Sequence, residues 1–258
     1  MMKKACIIVM AGLFLSLPVN LMGEEKPDVE LAGMRIVGSG YGLNGTELRA
    51  FHQKSGTSLA LVVRAPKNKK IVEVDDSNCS LEKFTDDRGL NLLDDVDWGG
   101  FPKISKSGNL ALVEVSSPKR PSKGASRVIV QGTIQLRVAA SEKTEKIENI
   151  KPEVGAKAKV GQEVIEVIKV QQENEDLIFM LKINRKFVDN MKEIRFYTPK
   201  GDLIDILGRG SFTFGNVSQV EYNLNTKSLP ESLTVAIDLW QELETLNISF
   251  EIETGLGF

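Results

Sequence analysis

Histidine and cysteine are almost absent from this sequence, and their scarcity removes many metal and nucleophile chemistries. His52 is the only histidine among 258 residues. Zinc centres and iron centres that draw on two or more histidines are therefore excluded. A Ser-His-Asp triad would have to use His52, but the chain has no Gly-x-Ser-x-Gly nucleophile elbow. We expect His52 to be a surface residue in a glycine-rich loop.

Aromatic residues and an excess of positive charge are also lacking. Aromatic residues make up 6% of the chain, too few to favour the aromatic-lined cleft of a glycoside hydrolase. Some pair of carboxylates would suit glycoside hydrolysis by chance, because the chain has 35 acidic residues. The net charge is −2, and no basic face of the kind that binds nucleic acid is predicted.

Residues 1–23 have the pattern of a secretory signal peptide. Lys3 and Lys4 form a positive start, residues 5–17 are almost continuously apolar, and Pro18 ends the run. This order is typical of a signal peptide, and the run is shorter than the roughly 20 apolar residues of a membrane-spanning helix. We expect cleavage after Gly23, export to the periplasm or the extracellular space, and no transmembrane segment in the mature chain.

Cysteine usage follows from that expectation. Of the two cysteines, Cys6 lies in the predicted signal peptide and Cys79 does not. Cys79 is then left without an intramolecular partner, so no internal disulfide is expected. We interpret Cys79 as a small, partly buried apolar residue, with a free reactive thiol or an intermolecular link as the alternatives.

The dominant hydrophobic period is two residues. From Val128 to Val138, apolar residues and Gly132 occupy every second position, which is typical of a half-buried antiparallel strand. Gly132 is interpreted as a bulge or bend. Residues 233–239 and 246–252 alternate in the same way, and we predict that they pair with each other as a hairpin.

Short strand patterns separated by turn signals continue along the chain. They predict an all-β fold of antiparallel β-sandwiches. The further strand predictions are Met34–Val37, Ser58–Arg64, Ile71–Val74, Ala111–Ser116, Val164–Val170, Leu177–Ile183, Glu193–Tyr197, Leu203–Leu207 and Val217–Leu224. The one helix prediction is Phe187–Lys192.

A charged stretch divides the chain into two predicted domains. Half of residues 141–152 (SEKTEKIENIKP) are charged, and the stretch ends in proline. The stretch is interpreted as a linker, or alternatively as a hairpin that completes the first sandwich. We place the division after the hairpin, which gives an N-terminal β-sandwich domain at 24–150 and a C-terminal immunoglobulin-like β-sandwich domain at 151–258.

Several short segments resemble a group of exported bacterial proteins of uncharacterised function. The segments are 84–89 (FTDDRG), 101–105 (FPKIS), 111–115 (ALVEV) and the closing 255–258 (GLGF). The resemblance covers most of the mature chain and implies two tandem immunoglobulin-like sandwiches. It implies no particular activity, ligand or catalytic residue.

An acidic segment between residues 75 and 97 supplies the candidate metal ligands Asp86, Asp87, Asp95 and Asp97. Calcium takes about six to eight oxygen ligands, commonly from a carboxylate-rich loop. Exported proteins meet millimolar calcium, so these four aspartates form the predicted calcium site.

The local pattern leaves an alternative open. A loop read from Asp95 matches a calcium-binding loop at its first, third and sixth positions, but Gly99 stands at the fifth and Lys106 at the twelfth. Aspartate also favours turns, because its carboxylate accepts hydrogen bonds from nearby backbone N–H groups. The aspartates are then turn residues.

Trp240 is the candidate ligand-binding residue. If residues 233–239 place alternate apolar side chains in the core, Trp240 faces outward together with Asp238. An outward tryptophan can stack on a sugar or on a partner protein. The alternative is that Trp240 packs under a loop or against the other domain.

These patterns favour an exported, non-catalytic binding or structural module of the cell envelope. Its expected partner is a protein or a glycan, and no cofactor beyond the calcium discussed above is predicted. A calcium-dependent adhesion or carbohydrate-binding protein is the alternative function, and a hydrolase of unrecognised type is a third.

Overall fold

The structure is a computed structural model that describes residues 28–38 and 55–257, with backbone only at residues 100 and 101. The predicted signal peptide and His52 lie outside the described residues. The all-β prediction is confirmed, since nearly all regular structure is antiparallel strand. The strands are β1 (Val29–Val37), β2 (Gly56–Arg64), β3 (Lys70–Val74), β4 (Ser80–Asp86), β5 (Asp97–Ile104), β6 (Leu110–Ser117), β7 (Arg127–Ile150), β8 (Lys157–Val160), β9 (Glu163–Glu173), β10 (Asp176–Asn184), β11 (Met191–Tyr197), β12 (Leu203–Ile204), β13 (Ile206–Phe214), β14 (Val217–Asn225) and β15 (Leu233–Gly255).

Within residues 28–38 and 55–257, helical structure is confined to two short pieces. A 3₁₀ turn covers Asp76–Asn78, and helix α1 covers Arg185–Asp189. The helix begins two residues before its prediction because the Asn184 side chain accepts a hydrogen bond from Lys186 N at 2.9 Å and caps the first turn. Among the described residues, no helix is long and apolar enough to cross a membrane.

The strands enclose two hydrophobic cores. The first lies between the sheet β1-β2-β6-β5 and a layer made of β3, β4 and parts of β7 and β15. The second lies between the sheet β13-β14-β10-β9-β8 and a layer made of β11, β12 and the remaining parts of β7 and β15. Each core therefore has the two-layer arrangement of a β-sandwich.

Strands β7 and β15 run through both cores as one antiparallel ribbon. They are 24 and 23 residues long and pair from Leu233 opposite Ile150 to Gly255 opposite Arg127. This length is unusual, since strands commonly have about three to ten residues. The two cores consequently share a continuous backbone ladder.

The predicted hairpin between residues 233–239 and 246–252 is wrong. Both segments belong to β15, and each pairs with β7 rather than with the other. The apolar residues that pack in a core change from odd to even positions between Leu239 and Ile248, and Glu242 between them has a φ of +53°. Because the core-facing positions shift within one strand, the sequence has the same pattern as two strands joined by a hairpin turn.

The charged stretch at 141–152 is neither a linker nor a hairpin. Residues 141–150 form the second half of β7, and they pair with the first half of β15. Most of its side chains are exposed, and neighbours on one face pair with each other, as in Lys143–Glu145 at 2.6 Å. Ile147 and Ile150 supply the buried contacts.

The domain limits 24–150 and 151–258 stay a prediction. Residues from one side of the limit at 150 nevertheless pack in the core that lies mainly on the other side. Ile147 and Ile150 pack in the second core. Ile248 and Phe250, near the end of the chain, return to the first core. Each core thus contains residues from both sides of the predicted limit.

Gly132 marks a close approach of two strands. It keeps its pairing with Phe250, and the irregularity lies on the facing strand β4, between Leu81 and Lys83. A Cβ atom at Gly132 would lie 2.3 Å from Ser80 O and 2.8 Å from Leu81 Cδ2. The absence of a side chain therefore lets β4 close the first core against β7.

We expect Gly132→Ala to lower the free energy of unfolding by about 1–3 kcal/mol, the usual cost of overpacking. Gly255→Ala is the matched control, because the nearest atom to its added Cβ is Ser126 O at 3.9 Å. The control should change stability by less than about 0.5 kcal/mol. Urea unfolding of both variants measures the difference, and equal losses would contradict the proposed close approach.

Candidate functional site

The outer face of the sheet β1-β2-β6-β5 carries a row of four polar residues. Arg35, Ser58, Ser116 and Asp97 lie opposite one another on adjacent strands, so their side chains share one face. Arg35 Nη2 donates to Ser58 Oγ at 3.5 Å, and the hydroxyls of Ser58 and Ser116 are hydrogen-bonded at 2.9 Å. We call this set the polar row.

A groove runs beside the polar row. Two positions further along the strands, Ala60 and Gly99 lie on either side of Glu114, so small residues keep this part of the sheet low. The cleft has a volume of about 810 Å³, and a smaller depression of about 200 Å³ that Ala60 lines shares Arg35, Ser58 and Glu114 with it. The name polar groove is used below for the cleft lined by Arg35, Ser58, Asp95, Asp97, Lys103, Glu114 and Ser116.

The polar groove presents charges of both signs to solvent. Arg35 and Lys103 are its cations, and Asp95, Asp97 and Glu114 are its carboxylates. Within residues 28–38 and 55–257, these five groups form no ion pair. Together with two serine hydroxyls, they can donate and accept hydrogen bonds along a polar ligand.

Asp86 has a structural role at the end of β4. Its side chain is buried, Oδ1 accepts from Arg88 N at 3.0 Å and Leu90 N at 2.8 Å, and Oδ2 accepts from Ser122 N at 2.7 Å. Burial alone raises the pKa of Asp86, but the backbone hydrogen bonds from Ser122, Leu90 and Arg88 outweigh burial and lower the pKa overall. The carboxylate therefore ties β4 to the loop before β7.

Asp87 holds the same loop from the other side. Its carboxylate accepts from Ser126 N at 3.0 Å and from Ser126 Oγ at 2.5 Å. The hydrogen bond from the Ser126 side chain lowers the pKa of Asp87. Both aspartates thus use their oxygens on protein donors.

The four aspartates predicted to bind calcium fall into two separate places. Asp86 and Asp87 anchor the loop before β7, whereas Asp95 and Asp97 line the polar groove. In the part of the chain that the structure describes, no three or more His, Cys, Asp or Glu residues are grouped to hold a metal ion. The calcium site stays a prediction, and of the four aspartates only Asp95 and Asp97 line the polar groove.

Trp240 lies where the two sandwiches meet. It is half-buried, and it lines a cleft of about 390 Å³ together with residues of β3 and the β5–β6 turn from one sandwich and α1 and β11 from the other. Lys192 Nζ is 4.9 Å from the centre of the indole ring, a distance typical of a cation–π contact. The role of Trp240 in ligand binding stays a prediction. Its contacts in the structure agree with the alternative that it packs between the two sandwiches.

Polar contacts reinforce this junction. Arg137, on the shared strand β7, donates to Asp189 O at 3.1 Å and to Asn190 Oδ1 at 2.7 Å. Glu142 pairs with Lys192 and with Lys70, one from each sandwich, and these hydrogen bonds lower the pKa of Glu142. The junction is therefore held by side chains as well as by the ribbon.

The sequence analysis missed most of the polar groove. Ser58 and Ser116 each stand between two buried residues, one of them apolar (Leu59 and Val115), so their outward direction agrees with the alternation along each strand. The proximity of Ser58 to Ser116 could not be predicted from the sequence, because the order β1-β2-β6-β5 and its register follow from tertiary pairing. Arg35, Lys103 and Glu114 join them only through that register.

Comparison with known proteins identifies no relative of this chain. No family model matches it, and no curated protein and no solved structure is significantly similar to it. The resemblance to exported bacterial proteins therefore stays a prediction, and a function has to be argued from the polar groove.

We expect Asp86→Asn to lower the free energy of unfolding by about 2 kcal/mol at neutral pH, because the amide nitrogen cannot accept the bond from Ser122 N. Asp95→Asn is the matched control: Asp95 is exposed, and asparagine tolerates its φ of +57°. Urea unfolding monitored by tryptophan fluorescence measures both variants. Equal stabilities of Asp86→Asn and the wild type would contradict the structural role.

The stability difference between the wild type and Asp86→Asn should also depend on pH. Because the pKa of Asp86 is lowered on folding, its contribution to stability is present above about pH 4 and is lost as the pH falls through the lowered pKa. The stability difference between wild type and Asp86→Asn should therefore narrow from about pH 5 toward about pH 2. A difference that stays constant over this range would show that the Asp86 charge does not matter.

Proposed function

We propose that this protein is an exported, non-catalytic binding module of the cell envelope, that its two sandwiches are of the immunoglobulin-like type, and that the polar groove is its ligand-binding surface. The observation that carries the proposal is the groove itself: charges of both signs, without ion-pair partners among the described residues, beside two hydrogen-bonded serines. Such a surface suits recognition of a polar ligand better than burial against an apolar one.

The size and rigidity of the groove support this assignment. Its volume of about 810 Å³ falls in the range of about 300–1,000 Å³ that is usual for small-ligand sites. The polar row is built on four paired strands, so its side chains are positioned by a ladder rather than by loops. The ligand class is a short segment of a polar envelope glycan or of a polar peptide.

Export is supported by the charged and apolar pattern of residues 1–23. Fractionation of cells that produce the full chain, with N-terminal sequencing of the product, tests this part. A periplasmic or secreted product that begins near Glu24 is expected. A cytoplasmic product that retains residues 1–23 would contradict export.

Ser116→Tyr tests the groove, because it places a bulky ring in the middle of the polar row. The wild type should bind a subset of ligands on glycan and polar-peptide arrays, and Ser116→Tyr should weaken that binding at least about tenfold by steric exclusion. Thr133→Tyr is the matched control, since Thr133 lies on the outer face of the opposite layer, beside Ser249. The control should bind as the wild type does.

The array outcomes separate the possibilities. Binding that is lost equally in Ser116→Tyr and Thr133→Tyr, or unchanged in both, would contradict the groove as the site. Repeating the arrays with millimolar calcium and with EDTA tests the calcium-dependent alternative, which predicts binding in calcium alone. Calorimetric titration of positive array ligands with Glu114→Gln then measures the contribution of one groove carboxylate.

A further inference from the structure

Strand β13 is the most exposed strand of the second sandwich. All nine of its residues are exposed, and the side chains of Phe212 and Phe214 retain 66% and 82% of their accessible surface. It pairs with β14 on one side, and in the described part of the chain it pairs with no strand on the other. The strand therefore offers a free row of backbone N–H and C=O groups.

Nothing in the sequence of β13 protects this edge. Soluble proteins commonly block free edges with proline, lysine, a short strand or a covering element. Residues 206–214 contain no proline and no lysine, and Arg209 is their only charged residue. Two exposed phenylalanines on a free edge instead favour pairing with another strand.

The residues along β13 are arranged so that the strand is complementary to an antiparallel copy of itself. Gly208, Gly210, Phe212 and Phe214 share the outer face, opposite Asn223, Glu221, Gln219 and Val217 of β14. The two glycines come first and the two phenylalanines second. An antiparallel copy of the strand therefore brings phenylalanines opposite glycines.

We propose that two copies of the chain associate by antiparallel pairing of their β13 strands about a two-fold axis at Ser211. In this register Phe212 lies opposite Gly210 of the second copy, and Phe214 lies opposite Gly208 of the second copy. A phenylalanine ring covers the exposed backbone of a cross-strand glycine, a pairing that stabilises glycine-containing edges.

The surface above the glycines has room for those rings. A Cβ atom at Gly208 would have Asn223 Cβ as its nearest neighbour at 3.7 Å, and one at Gly210 would have Glu221 Cβ at 4.0 Å. Both distances are ordinary van der Waals contacts. Each ring can therefore lie over a glycine and against the adjacent side chain of β14.

The backbone pattern agrees with the same register. The turn at residues 215–216 is two residues long, which makes Phe214 and Val217 the hydrogen-bonded pair beside it. Hydrogen-bonded pairs alternate along the ladder, so Arg209, Ser211 and Thr213 direct their N–H and C=O groups to the free edge. Pairing about Ser211 joins these groups in about six backbone hydrogen bonds.

The proposed dimer is isologous and closed. The same strand serves both copies, so the contact uses up the free edge and does not propagate into a filament. It joins two five-stranded sheets into one continuous sheet. This inference is independent of the polar groove, which lies on the first sandwich.

Site-specific crosslinking tests the register. In a background with both native cysteines replaced (Cys6→Ser and Cys79→Ser), Ser211→Cys should form an intermolecular disulfide under mild oxidation, because residues paired across such a ladder have Cα atoms about 5.5 Å apart. Arg209→Cys and Thr213→Cys are the matched controls. Each alone should stay uncrosslinked, and a mixture of the two should form a mixed disulfide.

Light scattering after size exclusion tests the dimer itself. The protein with Cys6→Ser and Cys79→Ser should have twice the mass of one chain, and adding Phe212→Lys should shift it to the mass of one chain. Leu203→Lys is the control, since Leu203 is an exposed apolar residue (58%) in β12, and it should leave the dimer intact. Circular dichroism establishes that each variant is folded.

Two outcomes would overturn the proposal. One is a single-chain mass for the folded protein throughout a concentration series into the high micromolar range. The other is crosslinking by Arg209→Cys alone that equals or exceeds crosslinking by Ser211→Cys, since that would place the two-fold axis elsewhere or indicate association through another surface.

Discussion

The ladder between β7 and β15 is the interaction on which the rest of the structure depends. Its paired residues run without a break in the backbone from Gly255–Arg127 in the first core to Leu233–Ile150 in the second. Each core takes part of its apolar surface from both strands. Because one ladder continues from the first core into the second, separating its strands in one core disturbs the pairing that borders the other. The junction at Trp240, Arg137 and Glu142 adds side-chain contacts at the point where the two cores meet.

This arrangement leaves the outward-facing sheets free to carry function. In the first sandwich, β7 and β15 close one side of the core, and the sheet β1-β2-β6-β5 presents the polar groove on the other. In the second, the same ribbon supports the sheet that ends in β13. Asp86 and Asp87 hold the loop before β7, since their oxygens accept hydrogen bonds from backbone and serine donors. The proposed ligand contacts and the proposed dimer contact are thus on different sheets.

The sequence predicted the strand class well and the long-range arrangement poorly, for a physical reason. Alternation along residues 128–138 reports which side chains face a core, because that direction is local to one strand. Alternation does not report which strand lies beside a given strand. The sequence therefore predicts that 233–239 and 246–252 pair with each other, although both pair with β7. Charged residues at 141–150 were interpreted as a linker or a hairpin because only Ile147 and Ile150 are buried there. The polar groove depends on register between four strands, and no single segment carries that information.

Native-state hydrogen exchange along β7 tests the shared ladder most directly. Ile183→Val removes one buried methylene from the second core and should cost about 1 kcal/mol. If the ribbon makes the two cores one cooperative unit, the protected amides at residues 128–138, in the first core, lose the same opening free energy as those at residues 143–150. The account is contradicted if only the amides at 143–150 exchange faster, because the second core would then open while the first stays closed.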